Sequence, residues 1–344
     1  MAADKKSIVD ESEFIKVSPK ELKTILIEHA ANSEAVGIEG PPGCGKTEIV
    51  MQVAAIVGKP FLSPFNCALS DGVDMKGIPA FSDDKSSVHW VKDKRWLAAV
   101  EFPSTILMDE LTQGNIGAIN SMASVIHEKR IDDVYLHPDT WPVWTGNRAQ
   151  DKCGTTRVPG QVYNRCFMYE LAHSAKDHVE FELTQPNIDL LTIRYLRMKG
   201  DEAYKFDPAA KINSTPRAWS VIARKLFTNP DAPLPTIAGR IGRGFATELM
   251  AFRAMAPQLP SQEEVLLSPT KARVPEPVSA QFLITDMLAD IATVNTFDAL
   301  VTYAKRLPVE MQAKFVKDSL NRHPEVASTA SFVKWGVSFA DVLR

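Results

Sequence analysis

Eight consecutive residues, Gly40-Pro41-Pro42-Gly43-Cys44-Gly45-Lys46-Thr47, fit the spacing G-x-x-x-x-G-K-[ST] at every fixed position. The residue types explain the chemistry. Glycines at 43 and 45 let the backbone turn tightly and approach a phosphate with no Cβ in the way. The N–H groups of such a loop point inward, and the start of the next helix adds partial positive charge. Lys46 is placed to reach the β- and γ-phosphates, and Thr47 to offer a hydroxyl to Mg2+.

Further along, the apolar run Thr105-Ile106-Leu107-Met108 ends in Asp109-Glu110. A carboxylate at that strand end can hold Mg2+ through water opposite Thr47. Its neighbour Glu110 can polarise the water that attacks a γ-phosphate. Asn147 follows the short strand Trp141 to Thr145, and an amide there can both donate to and accept from a lytic water. Arg165 precedes the strand Cys166 to Tyr169, and Arg217 opens a helix in Ser214-Thr215-Pro216-Arg217. Either guanidinium can fork onto phosphate oxygens. Arg148 and Arg157 compete with Arg165 on sequence grounds.

The elements that must position these groups are legible in outline. Ala35 to Glu39 reads as a buried strand ahead of the glycine loop. Glu48 to Val57 carries Ile49, Val50, Val53, Ala54 and Val57 at helical spacing. Pro19 opens a helix to about Asn32, with His29 on its apolar stripe as a packing residue. Phe61 to Asn66 reads as a second strand, and Asn115 to His127 as a helix. After about Glu170 helices dominate, over roughly 175–182, 186–199, 216–228, 237–257, 277–292, 296–305 and 308–321. The stripe Leu283, Met287, Leu288 and Ile291 reads as core. Expected boundaries are a lead-in over 1–18, an αβα nucleotide-binding domain over 19–172, a helical lid over 173–230 and a helical extension over 231–344.

Composition is that of a soluble globular protein: of 344 residues, 45% are hydrophobic and 24% charged. The net charge of −3 argues against a broadly basic nucleic-acid coat. Cys44, Cys67, Cys153 and Cys166 form no C-x-x-C pair, which disfavours a disulfide or zinc framework and fits a reducing cytoplasm. No run of 18 apolar residues exists, and the N-terminus has no apolar signal core.

The order GPPGCGKT, ILMDE, TGN, NRC and STPRA resembles an AAA+ ATPase, within it the MoxR and dynein-related branch, over about residues 20 to 228. The loop Gly154 to Gly160 leading into Asn164-Arg165-Cys166 supports this. The resemblance implies a parallel five-stranded sheet in the order 5-1-4-3-2 with an all-α lid. It implies ATP and Mg2+ as cofactors, bound by Gly40, Pro41, Pro42, Gly43, Cys44, Gly45, Lys46, Thr47 and Glu48. Thr47 and Asp109 would be the metal site and Glu110 the catalytic base. Asn147 would be sensor 1, Arg217 sensor 2, and Arg165 a finger reaching a neighbour's ATP. A finger in trans implies a homo-oligomeric ring, a hexamer in this family. Hairpins would fall at about 78–92 and 131–140, facing a pore or a partner. Implied partners are a protein client and proteins with a von Willebrand A domain. Asn164 and Cys166 depart from the branch, which more often has Asp and Phe there.

The leading expectation is therefore a cytoplasmic ring ATPase that remodels a protein client. A motor on DNA or RNA, a P-loop kinase and a non-catalytic nucleotide switch are the competing classes. The acidic balance counts against the first, the ordered sensor positions against the second, and intact Lys46 and Glu110 against the third.

Overall fold

The structure is a computed structural model that describes residues 14–156 and 158–338. It divides into two compact units. Among the described residues, one unit runs through Phe181 and takes in Tyr204–Ser220; the other holds Glu182–Ala203 and residues 221–338.

The first unit is built on a parallel sheet. Its strands are β1 (Ile15–Val17), β2 (Val36–Glu39), β3 (Phe65–Asn66), β6 (Thr105–Asp109), β9 (Trp141–Gly146) and β10 (Phe167–Leu171). They lie in the order β1-β10-β2-β9-β6-β3, every pairing parallel. The fold is that of a P-loop NTPase, α/β with a helical C-terminal region. The expected order 5-1-4-3-2 is present as β10-β2-β9-β6-β3. The expected count of five is corrected to six, because Ile15–Val17 adds an edge strand on β10. A three-residue strand with a lysine at its centre leaves no period to read in the sequence.

The helices of this unit are α1 (Pro19–Ala31), α2 (Lys46–Val57), α3 (Gly72–Lys76), α4 (Lys94–Glu101), α5 (Ile116–Glu128) and α6 (Gly160–Tyr163), and it also holds most of α7 (Ala175–Leu183) and the start of α9 (Pro216–Thr228). β2 and β9 are buried throughout, as strands covered on both faces must be. One face packs Val36, Ile38, Leu107, Trp141 and Val143 against Leu22 and Leu26 of α1 and Val50 and Val53 of α2. The other packs Ile106, Met108 and Trp144 against Trp96 of α4 and Ile119 and Met122 of α5. Ser18 caps α1 by accepting from the Glu21 N–H, and the Glu21 carboxylate accepts from Ser18 in return. His29 is indeed a packing residue. It stacks on Phe167 at 4.3 Å, with its ring nitrogens 2.7 Å from Glu34 and 2.8 Å from the Tyr169 hydroxyl.

Two hairpins leave this core: β4 (Ile78–Phe81) with β5 (Val88–Val91), and β7 (Arg130–Ile131) with β8 (Val134–Tyr135). Ile78, Phe81, Val88 and Val91 are exposed on the first. Lys92, at its base, reaches Asp132 at 3.2 Å and Asp133 at 3.1 Å in the turn of the second. A nearly buried ammonium thus ties the hairpins together.

The second unit is helical: α8 (Leu190–Lys199), the rest of α9, α10 (Leu234–Ile241), α11 (Arg243–Met255), α12 (Gln262–Leu267), α13 (Val278–Asp290), α14 (Phe297–Ala304), α15 (Val309–Arg322) and α16 (Ala330–Ser338). The single helix expected over 237–257 is two, because Gly242 at φ 82° and ψ 155° breaks the turn. Leu283 and Leu288 are fully buried, in keeping with the core reading of their stripe. Ile284, Leu288, Phe297, Leu300, Phe315 and Trp335 share one apolar cluster.

Beside that cluster, Asp286 of α13 is fully buried and faces four cations: Arg197 at 2.9 Å, Arg322 at 2.5 Å, Arg194 at 3.3 Å and Lys314 at 3.8 Å. Burial pushes its carboxyl up, but these charges, Arg197 and Arg322 foremost, outweigh it and hold the group below the usual range. Removing this anion strands several cations in a low-dielectric setting. Asp286→Ala is therefore expected to destabilise this unit by about 3–5 kcal/mol, read from the denaturant midpoint. A midpoint equal to that of the surface control Asp298→Ala would contradict this.

Candidate functional site

The site is assembled at the carboxyl ends of β2, β6 and β9. Register puts Glu39 opposite Gly146 and Met108 opposite Trp144, so Gly40, Asp109 and Asn147 leave the sheet together. One cleft is lined by Pro42 to Thr47, Asp109, Glu110, Thr145, Gly146, Asn147 and Arg217.

The glycine loop closes because Gly43 at φ 72° and Gly45 at φ 97° occupy left-handed backbone that other residues enter at a cost. A Cβ on Gly43 would also meet the Thr215 hydroxyl at 2.9 Å. α2 then begins at Lys46, so its free N–H groups face the loop. The Lys46 ammonium donates to the carbonyls of Gly40 at 2.7 Å and Pro41 at 3.1 Å, and to Asn147 Oδ1 at 3.1 Å.

Thr47 Oγ1 donates to Asp109, 3.2 and 3.3 Å from its two carboxylate oxygens. Asp109 also accepts from the Thr145 hydroxyl, and the same hydroxyl accepts from the Glu110 N–H at 3.3 Å. Glu110 itself is held at φ 57° and ψ 37°, a left-handed conformation that costs a non-glycine residue about 1–2 kcal/mol. Strain of that kind persists only where the surroundings fix it. Arg217 enters from the start of α9, its N–H donating to the Gly43 carbonyl at 3.2 Å.

The expected residues outside the cleft are equally informative. Glu48 is exposed on α2 and accepts from Gln52 at 3.1 Å. Arg148 is engaged by buried acids: Asp151 at 2.7 Å and Glu170 at 3.0 Å. Arg165 is exposed just after α6. Arg157 lies outside the described residues. Cys44 is buried in the loop, and burial pushes its thiol up, which makes it a packing group. Burial, then the charges of Asp109 and Glu110, pushes Cys67 up to about 12.

Two residues that touch this arrangement carried no signal in the sequence, and a third only a faint one. The side-chain hydroxyls of Thr145 and Thr112 act through partners 35 or 36 positions away. Glu39, one residue before the loop, is buried and accepts from the Tyr163 hydroxyl at 3.0 Å. A carboxylate inside an apolar strand was the one hint.

Fold and site define the first unit as a P-loop nucleotide-binding domain. Residues 35–139 match the family described as an AAA domain of the dynein-related subfamily. Over this stretch the chain is similar to that family, in agreement with the resemblance drawn from its motifs. No curated protein matches the sequence. Among solved structures, the Thermotoga maritima RuvB Holliday junction branch migration motor is 14% identical, over 74% of this chain and 75% of that one, with a TM-score of 0.35. NtrX from Brucella abortus in complex with ADP is 14% identical, over 92% of this chain and 65% of that one, with a TM-score of 0.42. NtrX in complex with ATP is 13% identical, over the same shares, with a TM-score of 0.41. Among the described residues no helix is long and apolar enough to cross a membrane.

Glu39 supplies a test of the site's electrostatics. Burial raises its carboxyl above the ordinary range; Tyr163 lowers it, Glu170 raises it further, and Lys46 and Arg148 pull it down. A raised folded-state value means that ionisation costs stability, a cost that is present at neutral pH and vanishes once the group is protonated in both states. Glu39→Gln is expected to raise the unfolding midpoint at neutral pH and to lose that advantage as the pH falls through the carboxylate range. Parallel denaturation of both proteins across pH checks this. A gap that grows on acidification would reverse the assignment.

Proposed function

We propose that this protein is a Mg2+-dependent AAA+ ATPase of MoxR-like type that hydrolyses ATP at the interfaces of a homo-oligomeric ring and remodels a protein client. The observation that carries the reading is the convergence of Lys46, Thr47, Asp109, Glu110, Asn147 and Arg217 on one cleft. A glycine turn with a solvated lysine would not gather the other five.

Each group has a task in that reading. The loop N–H groups and the Lys46 ammonium hold the β- and γ-phosphates. Glu110 takes the proton of the attacking water while the bond from the γ-phosphorus to its bridging oxygen breaks and ADP departs. Asn147 orients that water through its amide. Arg217 stabilises charge on the γ-phosphoryl oxygens. Thr47 Oγ1 and the Asp109 carboxylate, hard oxygen donors 3.2–3.3 Å apart, fit a magnesium ion. Bound there, the ion would neutralise phosphate charge.

The ring rests on arginine accounting. Arg148 is committed to Asp151 and Glu170, whereas Arg165 is exposed and off the cleft of its own subunit. An arginine so placed suits the ATP of a neighbour. In this reading 173–230 serves as the lid and 231–344 as a helical extension, and six subunits close the ring. The exposed apolar hairpin β4–β5 offers a surface for a client. A protein with a von Willebrand A domain is the first partner class to test. Four free thiols fit a reducing cytoplasm.

Glu110→Gln is expected to keep nucleotide binding, measured with a fluorescent analogue, while turnover falls by roughly 100-fold or more. Undiminished hydrolysis would remove Glu110 as the base. For the ring, the rate per subunit should rise with protein concentration as mass rises, and Arg165→Ala should abolish that rise with ATP still bound. A rate indifferent to concentration and to Arg165→Ala would mean that each subunit is complete alone.

A further inference from the structure

Thr112 sits in the 3-10 turn Leu111–Gln113 that follows Glu110, and its side chain is buried. Its hydroxyl makes two hydrogen bonds, both to one residue: it accepts from the Asn147 N–H at 2.9 Å and donates to the Asn147 carbonyl at 3.2 Å. One side chain thereby satisfies both main-chain groups of the amide residue that faces the Lys46 ammonium. The grip has a steric precondition. A Cβ at position 146 would meet Thr112 Cγ2 at 2.3 Å and Oγ1 at 2.7 Å, so the strand must end in glycine for the threonine to approach. The Thr112 carbonyl in turn accepts from the Thr156 N–H at 2.6 Å. The turn therefore fastens the backbone of Asn147 on one side and the loop toward α6 on the other.

We infer that Thr112 is a positioning residue for hydrolysis: through its hydroxyl it sets the place of Asn147 relative to Glu110. The inference rests on the proposed ATPase reading, in which Asn147 orients the water and Glu110 activates it. Thr112 lines no part of the cleft. Its effect passes through Asn147 alone. A hydroxyl suits the task because it donates and accepts at once. An apolar group of the same shape leaves both main-chain groups of buried Asn147 without a partner. Small displacements of a water-orienting group lower turnover more than they lower binding.

The test uses the full chain with Thr112→Val and Thr112→Ala, which remove the hydroxyl, and Thr112→Ser, which restores it. We expect kcat to fall about tenfold in Val and Ala, with the KM for ATP and the affinity for a fluorescent ATP analogue unchanged, and Ser to recover most of the rate. Independently of catalysis, hydrogen exchange at the Asn147 amide, measured without nucleotide, should accelerate in Val and Ala and not in Ser. Wild-type kcat in Val and Ala would overturn the inference. So would equal losses in all three variants, which would mark a packing role. Unchanged exchange at Asn147 would also overturn it, and this arm remains decisive if one variant folds poorly. If the wild type bound ATP but hydrolysed none under any assembly condition, the ATPase reading would fail and the catalytic role with it. The exchange arm would still report whether the hydroxyl holds Asn147.

Discussion

The arrangement depends on the parallel register of three central strands. β2, β9 and β6 are neighbours, all parallel, and all end at the same edge of the sheet. That shared edge turns residues 62 and 101 positions apart, Thr47 with Asp109 and Lys46 with Asn147, into hydrogen-bond partners. Open α/β sheets gather ligand-facing groups at their carboxyl ends for this reason. A slip of one residue in β6 would send Asp109 to the other face and part it from Thr47. The apolar alternation that packs Leu107 against α1 and α2, and Ile106 and Met108 against α4 and α5, resists such a slip. Core packing far from the cleft therefore fixes the geometry within it.

A second constraint is charge. Glu39 and Glu170 are partners across β2 and β10, both buried. Two carboxylates so close call for cations, and Arg148 answers by bridging Glu170 to Asp151. Burial foremost, with Glu170 adding to it, holds the Glu39 carboxyl above its ordinary range despite Tyr163, Lys46 and Arg148. Arg148 is thereby withdrawn from any role at the cleft, leaving Lys46 and Arg217 as the cations of its lining, opposite Asp109 and Glu110. Under the proposed function, two cations against two acids leave a polyphosphate largely uncompensated. In that reading the loop N–H groups, a metal ion and a neighbour's arginine would supply the further positive charge. The exposed position of Arg165 is consistent with that demand.

What could be read from sequence follows from what is local. The glycine loop, the acid pair after an apolar strand and the helix at α5 are contiguous patterns; the structure brings the first two to one cleft and packs the third against the sheet. The core strand order came with the resemblance. β1 escaped because three residues carry no period, and the break at Gly242 because a glycine in a helical pattern is often tolerated. Thr112 and Thr145 escaped for another reason: threonine is ordinary in a turn or strand, and its meaning comes from a partner that only the register supplies. The Asp286 network is similar. Its cations on α8 and α15 are hidden among many surface charges until the helices pack.

The inner cleft is held by hydroxyls more than by charges. Thr47 and Thr145 both donate to Asp109, Thr145 accepts from the strained Glu110 backbone, and Thr112 grips Asn147. Neutral groups that donate and accept can fix carboxylates and amides without altering the charge balance the cleft must keep. They also join its parts. Asn147 touches Lys46 through its side chain and Thr112 through its backbone, and Thr112 lies two residues beyond Glu110. Under the proposed function, a γ-phosphate competes with Asn147 Oδ1 for the Lys46 ammonium. The amide then loses its donor at the moment a water needs an acceptor, while its backbone stays clamped. The side chain is released and the main chain is not, which is the division of labour that a residue sensing phosphate and orienting water requires.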